Sequence, residues 1–217
     1  MSTWTSKRLQ GAAAALLVLA GCAGLGASTP KTRAVADGAV IVAGPPGYCI
    51  DPVGSRDRGE SSFVLLASCA AISGDATMPR PLFPALLTAT VTPKPPGTGP
   101  VAEQGAALER YFAAPQGRAA MARDGNPESV EIVETLTRDG LFIVHARDRT
   151  TAADDTMTPD RWRAIFDLNG QIVSASATTT DNRPFSREAG LALILRFARR
   201  IHEATRAGTP TGEPPDG

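Results

Sequence analysis

Few side chains in this sequence combine the type and the spacing that a reactive centre needs. The chain holds 2 histidines, His145 and His202, and no Gly-x-Ser-x-Gly segment that would present a nucleophilic serine. A serine nucleophile would have to come from Ser61-Ser62, with one of the histidines as its base. A structural role inside a strand accounts for His145, and a surface position near the end of a helix accounts for His202. We therefore predict a protein that is not an enzyme, and the alternative is a hydrolase with an unrecognised active site.

Acidic residues gather in one predicted loop, where they could bind a hard cation such as Ca²⁺. The aspartates of this loop are Asp148, Asp154, Asp155 and Asp160. Their spacing differs from that of an EF-hand loop, which also needs a glycine at its sharp turn and a glutamate at its end. The pattern favours a solvated loop, and we expect no metal and no cofactor.

Trp162 and His145 are the candidate residues of a ligand pocket. Trp162 shares one face of its predicted strand with Ala164 and Phe166, a pattern typical of core packing. If the loop over residues 148–160 acts as a lid, Trp162 would instead form the roof of a shallow pocket. The sequence leaves both interpretations open.

The chain holds 3 cysteines, of which Cys49 and Cys69 lie in the predicted folded part. In an oxidising compartment these two would form a disulfide, and the alternative is a pair of buried free thiols. Two cysteines this far apart in a chain with 2 histidines do not make a zinc-site pattern. The third cysteine, Cys22, lies at the end of an apolar N-terminal segment.

That N-terminal segment has the layout of an export signal. Lys7-Arg8 precede an apolar run over residues 11–20, which is shorter than the roughly 20 residues that a membrane-spanning helix needs. The run ends in Leu19-Ala20-Gly21-Cys22, which resembles the lipobox of bacterial lipoproteins. The resemblance implies that residues 1–21 are removed and that Cys22 carries acyl chains. An ordinary cleavable secretion signal is the alternative.

An acylated Cys22 would fix the place of the protein in the cell. Acyl chains on one cysteine hold a protein at a membrane, because each buried CH₂ contributes about 0.8 kcal/mol. The resemblance therefore implies a lipid-anchored protein whose domain faces the periplasm. Ala23 follows the cysteine, and the lack of an aspartate at that position favours the outer membrane over the inner membrane.

The charge of the chain argues against nucleic acid as a partner. Basic and acidic residues are balanced at 22 each. Residues 1–21 hold Lys7 and Arg8 and no acidic residue, so the remaining chain has 22 − 2 = 20 basic against 22 acidic residues, a net charge of −2. Phosphate binding would need a basic surplus or a concentrated basic face.

The last predicted helix carries a stripe of basic side chains. The stripe consists of Arg196, Arg199, Arg200 and Arg206, and Glu203 interrupts it. Such a stripe suits an acidic partner or lipid headgroups. Most stripes of this kind are the solvent side of an amphipathic helix.

Two consecutive β-hairpins form the scaffold that must position these residues. The predicted strands are residues 130–136 with 141–146, and residues 161–167 with 171–177. Asp139-Gly140 and Asn169-Gly170 lie between the paired strands, and both pairs suit a type I′ turn because they tolerate positive φ. An amphipathic helix over residues 187–206, with Ser186 as its N-cap, would cover the apolar face of these strands.

The remaining elements complete an α+β domain. Four further strands are expected, at residues 39–43, 48–51, 62–69 and 86–92, and another helix follows Pro100. We predict a mainly antiparallel sheet of about six or seven strands with two flanking helices, an α-β-α sandwich. The predicted organisation is a tether over residues 22–38, one domain over 39–207 and a disordered tail over 208–217.

The order of these elements resembles the Mog1/PsbP-type sandwich fold. The resemblance covers roughly residues 39–206, and it depends on Gly47-Tyr48-Cys49-Ile50 in an early strand, on the helix around residues 108–112, and on the final helix with Leu195-Arg196-Phe197. Taken together, the sequence predicts a lipid-anchored envelope protein that acts as a non-enzymatic binding or assembly module. Its expected partners are the membrane and an envelope protein, and an envelope hydrolase is the alternative.

Overall fold

The computed structural model describes residues 29–150, 160–179 and 185–208. Within these ranges the strands are β1 (Thr32–Val35), β2 (Val40–Ala43), β3 (Tyr48–Arg58), β4 (Ser61–Ser68), β5 (Ala85–Pro93), β6 (Val130–Arg138), β7 (Leu141–Asp148), β8 (Asp160–Leu168) and β9 (Gln171–Thr179). The α-helices are α1 (Cys69–Ser73), α2 (Gly105–Ala113), α3 (Pro115–Ala119) and α4 (Arg187–Gly208). Two 3₁₀ turns cover Val101–Gln104 and Pro127–Ser129.

Seven of the strands form one antiparallel sheet in the order β3-β4-β5-β9-β8-β7-β6, and β1 and β2 form a separate two-stranded sheet. The α+β class and the antiparallel sheet are confirmed. Two helices, α2 and α4, lie where the sequence predicts them, and α1 and α3 are additional helices of 5 residues each.

Both predicted hairpins are confirmed, with the predicted turn chemistry. Asp139 and Gly140 have φ of 53° and 80°, and Asn169 and Gly170 have φ of 49° and 74°. Positive φ at both central residues is the type I′ geometry, whose twist matches the twist of the flanking strands. The two turns lie at the same end of the sheet, because the four strands alternate in direction.

Helix α4 and the β1–β2 hairpin cover one face of the sheet. Leu193, Ile194, Phe197, Ala198 and Ile201 are buried there against side chains of β7, β8, β9 and the neighbouring strands. The Ser186 hydroxyl accepts a hydrogen bond from the backbone N–H of Ala189 at 3.2 Å, so Ser186 is the predicted N-cap. The face of α4 that packs is therefore the apolar stripe of the sequence.

Helices α2 and α3 and the first 3₁₀ turn cover part of the other face. Phe112 stacks on Phe142 with ring centroids 5.9 Å apart, and Met121 is buried beside Val144 and Ala146 in the same cluster. This layer packs over β6, β7 and β8. The side chains of β5 and β9 on the same face are mostly half-buried.

Strand β1 lies in the stretch that the sequence predicts as a tether. It pairs with β2 over the whole of both strands, and Val35 is buried. The turn between them places Ala36 and Asp37 at positive φ of 53° and 54°, followed by Gly38 at 84°. Pro115 ends α2 and also begins α3. A proline suits the first turn of a helix, where its missing N–H has no partner to lose.

Candidate functional site

The predicted disulfide between Cys49 and Cys69 is confirmed, with an S–S distance of 2.03 Å. Both cysteines are buried, and the bond joins β3 to the first residue of α1. The Cys69 N–H also donates to the Gly47 carbonyl at 2.9 Å. The predicted signal segment with Cys22, and the predicted tail beyond Gly208, lie outside the described residues.

His145 lies in a buried polar cluster on the α4 face of the sheet. Its Nε2 is 3.1 Å from Asp160 Oδ1 and its Nδ1 is 3.8 Å from Glu134 Oε1. Arg187, in the first turn of α4, donates to Glu134 Oε2 from Nε at 3.1 Å and from Nη2 at 2.7 Å. Both ring nitrogens therefore face carboxylates, an arrangement that ties β6, β7, β8 and α4 together.

Trp162 covers one side of the His145 ring. The two rings stack with centroids 4.2 Å apart and planes 10° from parallel. Gly190 of α4 lies against the five-membered ring of the indole, and a Cβ at that position would be 2.6 Å from Trp162 Cδ1. Trp162 is fully buried as a result, and the two candidate pocket residues lie side by side beneath α4.

The aspartates of the predicted acidic loop lie apart from one another where the structure describes them. Asp148 and Asp160 are both buried, but they point to opposite faces of the sheet. Burial by itself raises the pKa of Asp148, but hydrogen bonds from Thr150 and Arg123 and the Arg123 charge outweigh it and lower that pKa. Within residues 29–150, 160–179 and 185–208 no cluster of acidic, histidine and cysteine side chains could hold a metal ion.

The structure does not bring Ser62 and His145 together. Ser62 is buried and donates a hydrogen bond to Asp57 Oδ1 at 2.6 Å. Its strand, β4, is separated from β7 by β5, β9 and β8, which at about 4.8 Å a strand places the two residues roughly 19 Å apart. The Ser61-Ser62 segment and His145 therefore do not form a catalytic pair.

A groove of about 800 Å³ runs between α4 and the turns of the two hairpins. We call it the arginine groove. Apolar side chains form its floor, namely Leu141, Leu168, Ala192, Leu195 and Ala198. Charged and polar side chains form its rim, namely Arg138, Asp139, Asn169, Arg196, Arg199, His202 and Arg206.

The rim of the arginine groove is strongly basic. It has four arginines against one aspartate, and that aspartate, Asp139, is 3.3 Å from Arg138. No carboxylate of the described residues lies within 4.0 Å of Arg196, Arg199 or Arg206. The rim can therefore bind an anion without first breaking an ion pair of its own.

His202 lies on the rim of the groove, and its pKa is lowered there. Its ring lies over Phe166, with centroids 4.7 Å apart. Burial lowers the pKa of His202, and the nearby Arg206 charge lowers it further. The imidazole is therefore neutral near pH 7, and the arginines supply the charge of the rim.

The sequence predicts the part of the groove that α4 forms but not the part that the hairpin turns form. The basic stripe of α4 is visible as periodic spacing, and Arg196, Arg199 and Arg206 of that stripe line the groove. Arg200 does not line it; Arg200 lines a separate cavity beside Pro45 and Tyr48, and it pairs with Glu203 at 2.7 Å. The contribution of the hairpin turns was missed, since nothing local in Arg138 or Leu168 indicates that their turns meet α4.

No family model, curated protein or solved structure matches this chain. In the part of the chain that the structure describes, every helix is too short or too polar to cross a membrane. The function therefore has to be argued from the geometry of the chain's own residues.

Proposed function

We propose that this protein is a lipid-anchored protein of the cell envelope, with its domain in the periplasm, that acts as a non-enzymatic binding module. The export-signal layout and the lipobox-like segment ending at Cys22 support the anchor, and Ala23 favours the outer membrane. The Cys49–Cys69 disulfide supports an oxidising compartment, because disulfides persist there and are reduced in the cytosol.

The arginine groove is the observation that carries the binding role. Its apolar floor offers surface that a partner can bury, and its rim offers three arginines without an ion pair among the described residues. Arginine forks bind carboxylates through paired hydrogen bonds, which add geometric specificity to charge attraction. The matching partner is an acidic amphipathic segment of another envelope protein, with apolar side chains for the floor and Asp or Glu for the rim.

We assign His145 a structural role in this proposal. Each ring nitrogen faces a carboxylate, and Trp162 covers one ring face. His145 also does not line the arginine groove. A general base needs a nitrogen within reach of a substrate proton, and this geometry offers none.

Site-directed photo-crosslinking in intact envelopes tests the proposal. A photo-crosslinking residue at Ala192, in the floor of the groove, should capture a discrete partner protein. The matched control is the same residue at Ala106, an exposed position of α2 on the other side of the sheet. Equal capture at both positions would contradict the groove as the binding surface.

Charge reversal on the groove rim tests whether the rim arginines bind acidic groups of the partner. Arg196→Glu with Arg199→Glu should abolish capture at Ala192, because the rim would then repel an acidic partner. Arg110→Glu, on an exposed arginine of α2, is the matched control and should leave capture unchanged. Capture that survives the double reversal would show that acidic groups of the partner are not what the groove recognises.

A further inference from the structure

Arg163 lies on the face of the sheet opposite α4 and has no counter-charge in the described part of the chain. Its Nε donates to the Ser176 hydroxyl at 3.1 Å, and no described carboxylate is within 4.0 Å of its guanidinium. Its neighbour on the same face, Arg161, has partners, since Nη1 donates to the Met121 carbonyl at 2.8 Å and Nη2 is 3.9 Å from Asp148. Of the two arginines on β8, Arg163 is therefore the one with no carboxylate nearby among the described residues.

The surroundings of Arg163 make an unpaired charge unfavourable. The pKa of Arg163 is lowered to about 10, mainly by burial and also by the Arg161 charge, while Tyr111 opposes the shift. A guanidinium that has lost part of its water needs a counter-ion or further hydrogen bonds to offset the loss. Only Nε has a hydrogen bond to a described residue, so the two terminal nitrogens of the fork remain available for a ligand.

Hydroxyl groups line the sheet beside this arginine. The register aligns Arg163 with Ser176 of β9 and Ser176 with Thr88 of β5. Side chains opposite each other across antiparallel strands have Cβ atoms about 4.5–5.5 Å apart, so these groups can share one small ligand. The hydroxyls of Thr88 and Ser174 make no hydrogen bond to any residue that the structure describes.

Among the described residues, this face of the sheet is only partly covered beside the buried Ser176, because the helical layer makes its main contacts with β6, β7 and β8. Thr88, Thr90 and Ser174 are half-buried and form a polar surface next to the Arg163 guanidinium. Tyr111 of α2, which is 46% exposed, borders this surface on the helix side.

We propose that Arg163, with the hydroxyls of Ser176 and Thr88, forms a binding site for an oxyanion, namely a carboxylate or a phosphate group of a small ligand. The guanidinium fork would hold two oxygens of the anion, and the hydroxyls would donate to the same group. This site lies on the opposite face of the sheet from the arginine groove. The proposal of an anion site therefore does not depend on the binding role proposed for the groove.

Anion titration of the full-length protein in detergent micelles tests this site. The backbone amide signals of Ser176 and Ala177, which every variant retains, and the Arg163 Nε–Hε signal, where the arginine is present, are followed by NMR as inorganic phosphate or acetate is added. We expect a saturable shift with each anion. Arg163→Gln should weaken binding at least about ten-fold, the loss that corresponds to one charge-assisted hydrogen bond. Arg110→Gln, at an exposed arginine of α2, is the control and should bind as the wild type does.

Further variants test whether the guanidinium fork and the hydroxyls, and not positive charge alone, bind the anion. Arg163→Lys keeps the charge but loses the fork, so it should also bind more weakly, and Thr88→Val should weaken binding several-fold with the arginine in place. Arg196→Glu with Arg199→Glu should leave the Arg163 shift unchanged, because the groove is on the other face. If Arg163→Gln does not fold, Thr88→Val and the wild-type titration still decide the question.

The source of the anion is distinguished by a third probe. Vesicles containing phosphatidylglycerol present a phosphate on a lipid headgroup, whereas inorganic phosphate and acetate are free anions. Binding of the free anions, with or without the vesicles, supports the proposal. No saturable shift with either free anion would overturn it, and so would equal affinity in the wild type and in a folded Arg163→Gln protein.

Discussion

Substituting Gly190 with alanine tests whether α4 packs directly on Trp162. Gly190 lies in the first turn of α4, and a Cβ there would be 2.6 Å from Cδ1 and Cε2 of the indole. Because Trp162 is fully buried, the ring cannot move aside into water. Overpacking of this kind costs about 1–3 kcal/mol. Alanine has a higher helix propensity than glycine, which offsets up to about 1 kcal/mol of this cost.

The upper end of that overpacking cost is the relevant one, because the clash involves a rigid buried ring. We therefore expect Gly190→Ala to lower the free energy of unfolding by about 2 kcal/mol, from about 3 kcal/mol lost and about 1 kcal/mol returned. For a chain of this size the corresponding fall in Tm is about 4–8 °C. Thermal melts and urea unfolding of the full-length protein measure both quantities.

A double-mutant cycle with Trp162→Leu identifies the clash. The leucine side chain lacks the ring atoms that Gly190 approaches, so Gly190→Ala should cost less in that background by about 1 kcal/mol or more. A Gly190→Ala protein as stable as the wild type would refute the close contact. It would also imply free space above the indole, which is what a ligand pocket over Trp162 and His145 would require.

Three further perturbations address the anchor, the disulfide and the groove. Cys22→Ser should leave an uncleaved precursor that incorporates no labelled palmitate in cells, and normal processing would defeat the lipid anchor. Replacing Cys49 and Cys69 with alanine opens a loop closed over a separation of 20 residues, which should cost about 3 kcal/mol in denaturant unfolding; two alkylatable thiols in the native wild-type protein would contradict the bond. The folded pKa of His202 lies below its unfolded value of 6.5, so its contribution to stability is present above pH 6.5 and is lost as the pH falls. His202→Gln should therefore lose less stability between pH 7.5 and pH 5 than the wild type does, and parallel curves would show that the pKa of His202 is not lowered in the folded protein.

The elements that could be predicted are those encoded by short-range chemistry. Asp139-Gly140 and Asn169-Gly170 specify their turns through the φ values that they tolerate, and Ser186 specifies the start of α4 through one hydrogen bond. Each of these signals acts over a few residues and needs no partner from elsewhere in the chain. The disulfide was predictable for a different reason, since the predicted lipobox uses Cys22 and leaves Cys49 and Cys69 as the remaining two cysteines of the sequence.

Strand β1 could not be predicted, because its stability comes from residues far away in the sequence. Thr32–Val35 has a single strongly apolar residue, Val35, and its neighbours alternate only weakly. What holds the β1–β2 hairpin in place is α4, through the hydrogen bond from the Ile41 N–H to the Thr205 hydroxyl at 2.9 Å and through buried Val40 and Val42. Because Ile41 and Thr205 are 164 residues apart in the sequence, no local pattern predicts their contact.

The His145 cluster also could not be predicted, because its residues come from different strands. The sequence places His145 in a strand and two carboxylates, Glu134 and Asp160, at separate positions of neighbouring strands. Their convergence depends on the irregular register between β6 and β7, which shifts between Ile132 and Glu134 and pairs Glu134 with His145. An unshifted register would have turned this glutamate to the other face, because neighbouring residues of a strand alternate in direction.

An arginine without an ion pair is informative only where water is partly excluded. Arg110 lies exposed on α2, where water solvates its guanidinium fully and no partner is needed. Arg163 differs because burial has removed part of its water, and the three rim arginines differ because they surround apolar side chains. Exposed rim charges are screened over about 8–10 Å by salt, whereas a half-buried fork is screened much less. Attraction to the groove should therefore weaken as salt is added, whereas an anion at Arg163 would be held by short, directed hydrogen bonds that salt affects less.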